Sequence, residues 1–240
     1  MSVIFKHKIV VAILSVFIIL LSSCSDNDMI PPQANPITMD TINYLALGDS
    51  YTIGTSLANE EDRYPVKIAD KLNEEGYLCY PPHIIAQNGW TTGDLLNATA
   101  SFTPDSTFDL VSLLIGVNNQ YQNKSIEEYA EEFETLLVQA IQYAGNDTNN
   151  VFVVSIPDYG VTPFGSDNAE TIAKEIDQFN NVNREITESH GISYFYITDI
   201  SRLAASNSGL IANDNLHPSG KMYELWVANF IEDIKIKLDE

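Results

Sequence analysis

Apolar and polar positions along this chain follow two alternating rhythms. Short apolar runs recur at residues 43–47, 83–87, 110–115, 151–156 and 193–197, and those at 111–115 and 151–154 are nearly unbroken, as in strands covered on both faces. Between them lie stretches of helical period. The clearest begins at Ser125, whose spacing to Glu128 fits a capping box, and sets Ile126, Tyr129, Phe133, Leu136, Leu137, Ala140 and Ile141 on one stripe. Gly145-Asn146-Asp147 ends it. Others are expected near 65–75, at 169–189 with Ile172, Ile176, Phe179 and Ile186 inward, and at 219–238 with Met222, Leu225, Trp226 and Phe230 inward. Strands alternating with helices predict an α/β fold built on a parallel sheet. With 240 residues and no internal repeat, one domain is expected, spanning residues 42–240.

The N-terminus breaks this rhythm. Lys6, His7 and Lys8 precede an apolar run at residues 9–21, closed by Leu21-Ser22-Ser23-Cys24. The run is shorter than the roughly 20 residues a membrane span needs, so residues 1–23 read as an export signal. The closing tetrad resembles the lipobox of bacterial lipoproteins, which implies lipidation at Cys24. A signal peptide cut elsewhere and an uncleaved anchor are the alternatives. Residues 25–41 hold Asp26, Asp28 and three prolines without periodicity, so 24–41 is expected to be a lipidated tether. The expected location is the bacterial cell envelope, anchored at the outer membrane and facing the periplasm or the exterior.

Removing residues 1–23 leaves 10 basic against 33 acidic residues. Such a surface argues against nucleic acid as a partner and disfavours strongly anionic substrates. If Cys24 carries lipid, Cys79 has no disulfide partner and is expected to be a buried structural thiol.

Loops that follow different parallel strands converge on one edge of the sheet, however distant in sequence. Ser50 closes Gly48-Asp49-Ser50 after the first strand. Gly93 follows the second, Asn118 follows the third, and Asp214 and His217 lie between the fifth strand and the last helix. Serine needs a base to become a nucleophile, and an imidazole needs a carboxylate to fix its tautomer. Ser50, His217 and Asp214 fill those roles. An acyl-transfer intermediate also needs donors aimed at its oxyanion, and the Ser50 N–H, the Gly93 N–H and the Asn118 amide are candidates. Asp49 is expected to be a structural acceptor. No metal-ligand spacing or phosphate-cradling glycine loop is present, so no cofactor is expected.

Together, Gly48-Asp49-Ser50, Gly93, Gly116-x-Asn118 and Asp214-x-x-His217 resemble blocks I, II, III and V of the SGNH, or GDSL, hydrolase family. The resemblance implies a flavodoxin-like three-layer α/β/α sandwich with five parallel strands, and ester or thioester hydrolysis without metal or cofactor. Family substrates include lysophospholipids, fatty acyl thioesters and acetyl groups on polysaccharides. One position departs from the pattern: Asn119 stands where block III usually has aspartate. The loop at 155–165 resembles bacterial lipoprotein-type members. Its Tyr159 and Phe164, with Trp90 and Tyr121, are read either as cleft walls or as packing that fixes a long loop. The expected activity is that of an exported serine esterase acting on glycan or lipid esters. The alternative is a surface glycan-binding lipoprotein that keeps the fold without turnover.

Overall fold

The computed structural model describes residues 41–239. The leader, Cys24 and the tether up to residue 40 lie outside the described residues. Among the described residues the strands are β1 (Thr41–Ile42), β2 (Tyr44–Gly48), β3 (Leu78–Cys79), β4 (His83–Ala86), β5 (Leu110–Leu114), β6 (Val151–Val154) and β7 (Ser193–Phe195). Among the described residues the α-helices are α1 (Ser50–Ile53), α2 (Tyr64–Glu74), α3 (Thr92–Thr99), α4 (Val117–Tyr121), α5 (Ile126–Tyr143), α6 (Ala169–Ser189), α7 (Thr198–Arg202) and α8 (Gly220–Leu238).

The main sheet is wholly parallel in the order β4-β2-β5-β6-β7. This is the flavodoxin-like order, in which the chain reverses direction across the sheet beside its first strand and opens a crevice there. Helices α2 and α8 pack together in one layer, and α3, α5 and α6 in the other. β2, β5 and β6 are buried along their whole length, because helices cover both faces, which is why their sequences read as unbroken apolar runs. Tyr129, Phe133, Leu136, Leu137 and Ala140 of α5 are buried as the stripe requires. Leu225, expected inward on α8, remains 39% exposed, while Tyr223 and Val227 are buried in its place.

Several details differ from the sequence expectation. Thr41, assigned to the tether, pairs with Leu78 in a small parallel β1–β3 sheet. Helix α3 was not anticipated, although Thr91 and Asp94 form a full reciprocal capping box at its start. At Ser125 only half of the expected box exists: its Oγ accepts from the Glu128 N–H, while the Glu128 side chain turns to Lys124. Cys79 is buried, and burial, followed by the charges of Asp109 and Asp70, pushes its thiol up to about 11. Such a thiol stays protonated and unreactive near neutrality.

Candidate active site

The strand ends are level where the site forms, because Gly48 pairs with both Ala86 and Leu114. The loops after β2, β4 and β5 therefore leave the sheet at one height, at its carboxyl edge. Between them lies a cleft of about 220 Å³ lined by Ser50, Gly89, Asn118, Tyr121, Phe164 and His217, among others.

Ser50 opens α1, where Asp49 is the N-cap and its Oδ1 accepts the Tyr51 N–H at 2.9 Å. Asp49 is thus the structural acceptor expected, and it is completely buried with Oδ2 unpartnered. Burial dominates over the hydrogen bonds from the backbone N–H groups of Tyr51 and Asp49 itself, and raises its carboxyl from 3.8 to about 7. Because the folded value lies above the unfolded one, the benefit of Asp49 is complete below the unfolded value and is lost as pH rises through the folded one. The rise amounts to roughly 4 kcal/mol. Asp49→Asn is therefore expected to gain stability relative to wild type progressively between pH 4 and 7, measured by urea denaturation across that range. Parallel stability profiles of the two proteins would show that Asp49 does not titrate in this way.

His217 is carried by a tight loop between β7 and α8. The Ala212 N–H donates to the His217 carbonyl at 2.7 Å, Ile211 and Pro218 form an antiparallel bridge, and Asn215 adopts a positive φ of 65° at the turn. Asp214 accepts on Oδ1 from the Leu216 and His217 N–H groups, both at 3.0 Å. Its Oδ2 lies 2.6 Å from His217 Nδ1 and accepts from the Ser56 hydroxyl at 2.6 Å. Burial pushes the Asp214 carboxyl up, but Ser56, the His217 ring and the two backbone donors outweigh it and hold the group well below the usual carboxylate range. Tyr51 packs edge-on to the His217 ring at 5.6 Å, and Trp226 backs Tyr51 at 6.4 Å. The imidazole is thus clamped by an acid on one side and an aromatic ring on another, leaving Nε2 as its uncommitted nitrogen. Ser50 and His217 share the cleft without a hydrogen bond between them, a separation that commonly closes only when substrate is bound.

The structure brings together Ser50, Asn118, Asp214 and His217, with Tyr121, Tyr159 and Phe164. Gly93 and Trp90 do not join them. Gly93 sits in the first turn of α3, where a Cβ would meet Glu132 Oε1 at 2.9 Å, so its missing side chain serves the approach of α3 to α5. The glycine that lines the cleft is Gly89, in the tight turn after β4, with φ at +82°. Its N–H, like that of Ser50, has no acceptor among the described residues. The Trp90 ring packs against the hydrophobic core and does not line the cleft. Its carbonyl accepts one Asn118 amide N–H at 2.9 Å, which orients the second N–H as a remaining donor.

Asn119 accounts for the departure from block III. It is buried, its Oδ1 accepts the Thr92 N–H at 3.0 Å, and its Nδ2 donates to Thr92 Oγ1 at 2.6 Å. The Thr92 hydroxyl donates in turn to Glu132. Since that hydroxyl proton is committed to Glu132, position 119 must present a donor to Thr92 Oγ1, which an amide does and a carboxylate cannot.

The wall of the cleft is held by residues that carry no visible motif. Asp158, almost wholly buried, caps the short helical turn at Tyr159–Val161 and pairs with Arg202 at 2.9 Å. Arg202 also reaches Asp177 and Asp199. This fork ties the loop after β6 to α6 and α7 and sets the positions of Tyr159 and Phe164. No group of three or more His, Cys, Asp or Glu side chains able to hold a metal occurs among the described residues.

A parallel α/β/α sandwich with a serine, an oriented histidine and convergent N–H donors at its carboxyl edge defines a serine ester hydrolase. Residues 46–225 match the GDSL-like lipase/acylhydrolase family, and the chain belongs to it. No curated protein sequence matches the chain. Among solved structures it is similar to a psychrotrophic esterase from Pseudoalteromonas sp. inhibited by monoethylphosphonate, at TM-score 0.60 and 19% identity over 83% of this chain and 100% of that one. It is also similar to an acetylxylan esterase from Geobacillus stearothermophilus, at 0.63 and 17% over 82% and 95%. A phospholipase A1 from Streptomyces albidoflavus aligns at 0.60 and 19% over 82% and 100%. At these identities the likeness is one of fold.

Proposed function

We propose that this protein is an exported, lipid-anchored esterase that removes short acyl groups through an acyl-Ser50 intermediate. His217 Nε2 takes the Ser50 Oγ proton as Oγ attacks the ester carbonyl carbon, and the carbonyl π electrons move onto oxygen. The N–H groups of Ser50 and Gly89 and the second amide N–H of Asn118 stabilise that oxyanion. Collapse expels the alcohol oxygen, which takes the proton from His217. Water then attacks the acyl-enzyme with the same histidine as base, releasing the carboxylic acid and restoring Ser50. Asp214 stays ionised throughout and holds the proton on Nδ1.

The observation that carries this reading is the Asp214–His217 pair sharing one cleft with Ser50. The size of the cleft supports a short acyl group, since pockets that enclose drug-sized ligands run to about 300–1,000 Å³. Similar folds include both an acetylxylan esterase and a phospholipase A1, so fold alone does not choose between them. Turnover across nitrophenyl esters from acetyl to palmitoyl is the test. kcat/KM is expected to peak at two to four carbons and to fall by about tenfold or more by eight, as a chain too long for the cleft displaces the carbonyl from its attack geometry. A rate that climbs with chain length would reverse the assignment of acyl length. The alternative of a non-catalytic glycan-binding module gains no support from the family match or from the site.

A further inference from the structure

The cleft ends at three rings. Tyr121, Tyr159 and Phe164 lie within 6.0–6.3 Å of one another, and Tyr121 and Phe164 are 55% and 51% exposed. On the far side of this ridge, between α4 and α6, a second groove of about 370 Å³ shares all three rings with the cleft. Its other lining is mostly polar, with Gln120, Asn123, Asn168, Thr171 and Glu175 beside Gly165 and Ile172. Gln120 is buried and donates to Glu175 Oε2 at 2.7 Å, which fixes that carboxylate at the groove wall. The side chains of Asn123, Asn168 and Thr171 make no hydrogen bond among the described residues, so two amides and a hydroxyl remain uncommitted beside exposed aromatic faces.

We propose that this groove is a subsite for the alcohol part of the ester and that the alcohol is a neutral sugar, an inference that rests on the esterase reading of Ser50. The cleft at Ser50 and the groove share the three rings, so an ester substituent that leaves the cleft over this ridge enters the groove. The polar lining suits the alcohol better than an acyl chain. Ring faces stack on the apolar faces of a pyranose while amides, a hydroxyl and a carboxylate exchange hydrogen bonds with its hydroxyls. No Lys or Arg lines the groove, and Glu175 would repel a phosphate, which disfavours a phospholipid headgroup.

The test compares acetylated xylotetraose with nitrophenyl acetate in wild type and in Asn168→Ala/Thr171→Ala. Both polar positions are exposed and uncommitted, so the double variant is expected to fold. The preference for the sugar ester, as the ratio of the two kcat/KM values, should fall about tenfold in the double variant, as expected for two hydrogen bonds. Binding of unacetylated xylotetraose to Ser50→Ala, read by titration calorimetry, should weaken by a similar factor when the groove changes are added. An unchanged ratio and unchanged binding would overturn the subsite while leaving the esterase intact, as would faster turnover of lysophosphatidylcholine vesicles than of the sugar ester. Wild type inert toward nitrophenyl acetate would instead remove the esterase reading, and the subsite with it.

Discussion

Ser50→Ala is expected to turn over nitrophenyl acetate at least about 10⁴-fold more slowly than wild type, with a similar loss for His217→Ala. The double variant should be no slower than either single one, because nucleophile and base act as one unit and removing either abolishes the step that both serve. What remains would come from binding and from the oxyanion donors, which survive both changes. Steady-state kinetics measure the losses, and intact mass after fluorophosphonate treatment adds an independent readout: wild type gains one phosphonyl group and Ser50→Ala gains none. Losses that multiply in the double variant would show that Ser50 and His217 do not act as one unit, and equal labelling of both proteins would show that another residue is the nucleophile.

Asp214→Asn should lower kcat by roughly 10³ to 10⁴ with little change in KM. The carboxylate keeps the ring proton on Nδ1, whereas an amide can donate to that nitrogen and move the proton to Nε2, where the base is needed. Ser56 gives this prediction a graded companion. Its hydroxyl, on a residue with φ of +66°, donates to the same Oδ2 that faces His217. A hydrogen bond to a charged group contributes about 1.5–3 kcal/mol, so Ser56→Ala is expected to cost about tenfold or somewhat more in kcat, the contact being partly solvated. The sign of the pH effect follows from the depressed Asp214 value. Its ionised form is complete above the ordinary carboxylate range and is lost as pH falls through the folded value. Removing Ser56 moves that value upward, so acid unfolding, followed by circular dichroism, should begin at a higher pH in the variant. Identical profiles in wild type and variant would show that Ser56 does not tune the acid.

The sequence points to Gly93 while the structure places Gly89 in the cleft, for a definite reason. The segment Gln87 to Asp94 holds two glycines four residues apart, and both suit a loop after a strand. Which one faces Ser50 depends on where the turn ends and α3 begins, and that boundary is set by the Thr91–Asp94 capping box and by the packing of Gly93 against Glu132. Asn119 was likewise visible as an exception but not as an adaptation, since Glu132, its counterpart across Thr92, lies 13 positions away with nothing in the spacing to join them. Ser56 carried no signal at all: its partner Asp214 is 158 residues distant.

Local chemistry could determine what depends on near neighbours or on fixed periods. The unbroken apolar runs specified buried parallel strands, the apolar stripes specified which faces of α5 and α6 turn inward, and Asp214-x-x-His217 placed acid and base in one loop, because three residues are enough to bring a carboxylate to its own histidine. Only the tertiary structure decided which N–H groups look into the cleft, that Trp90 belongs to the core, and that an aromatic ridge divides the cleft from a polar groove. Those outcomes depend on contacts between segments tens to hundreds of residues apart, whose free energies are settled by the packing of the whole domain and leave no periodic trace in any single stretch of chain.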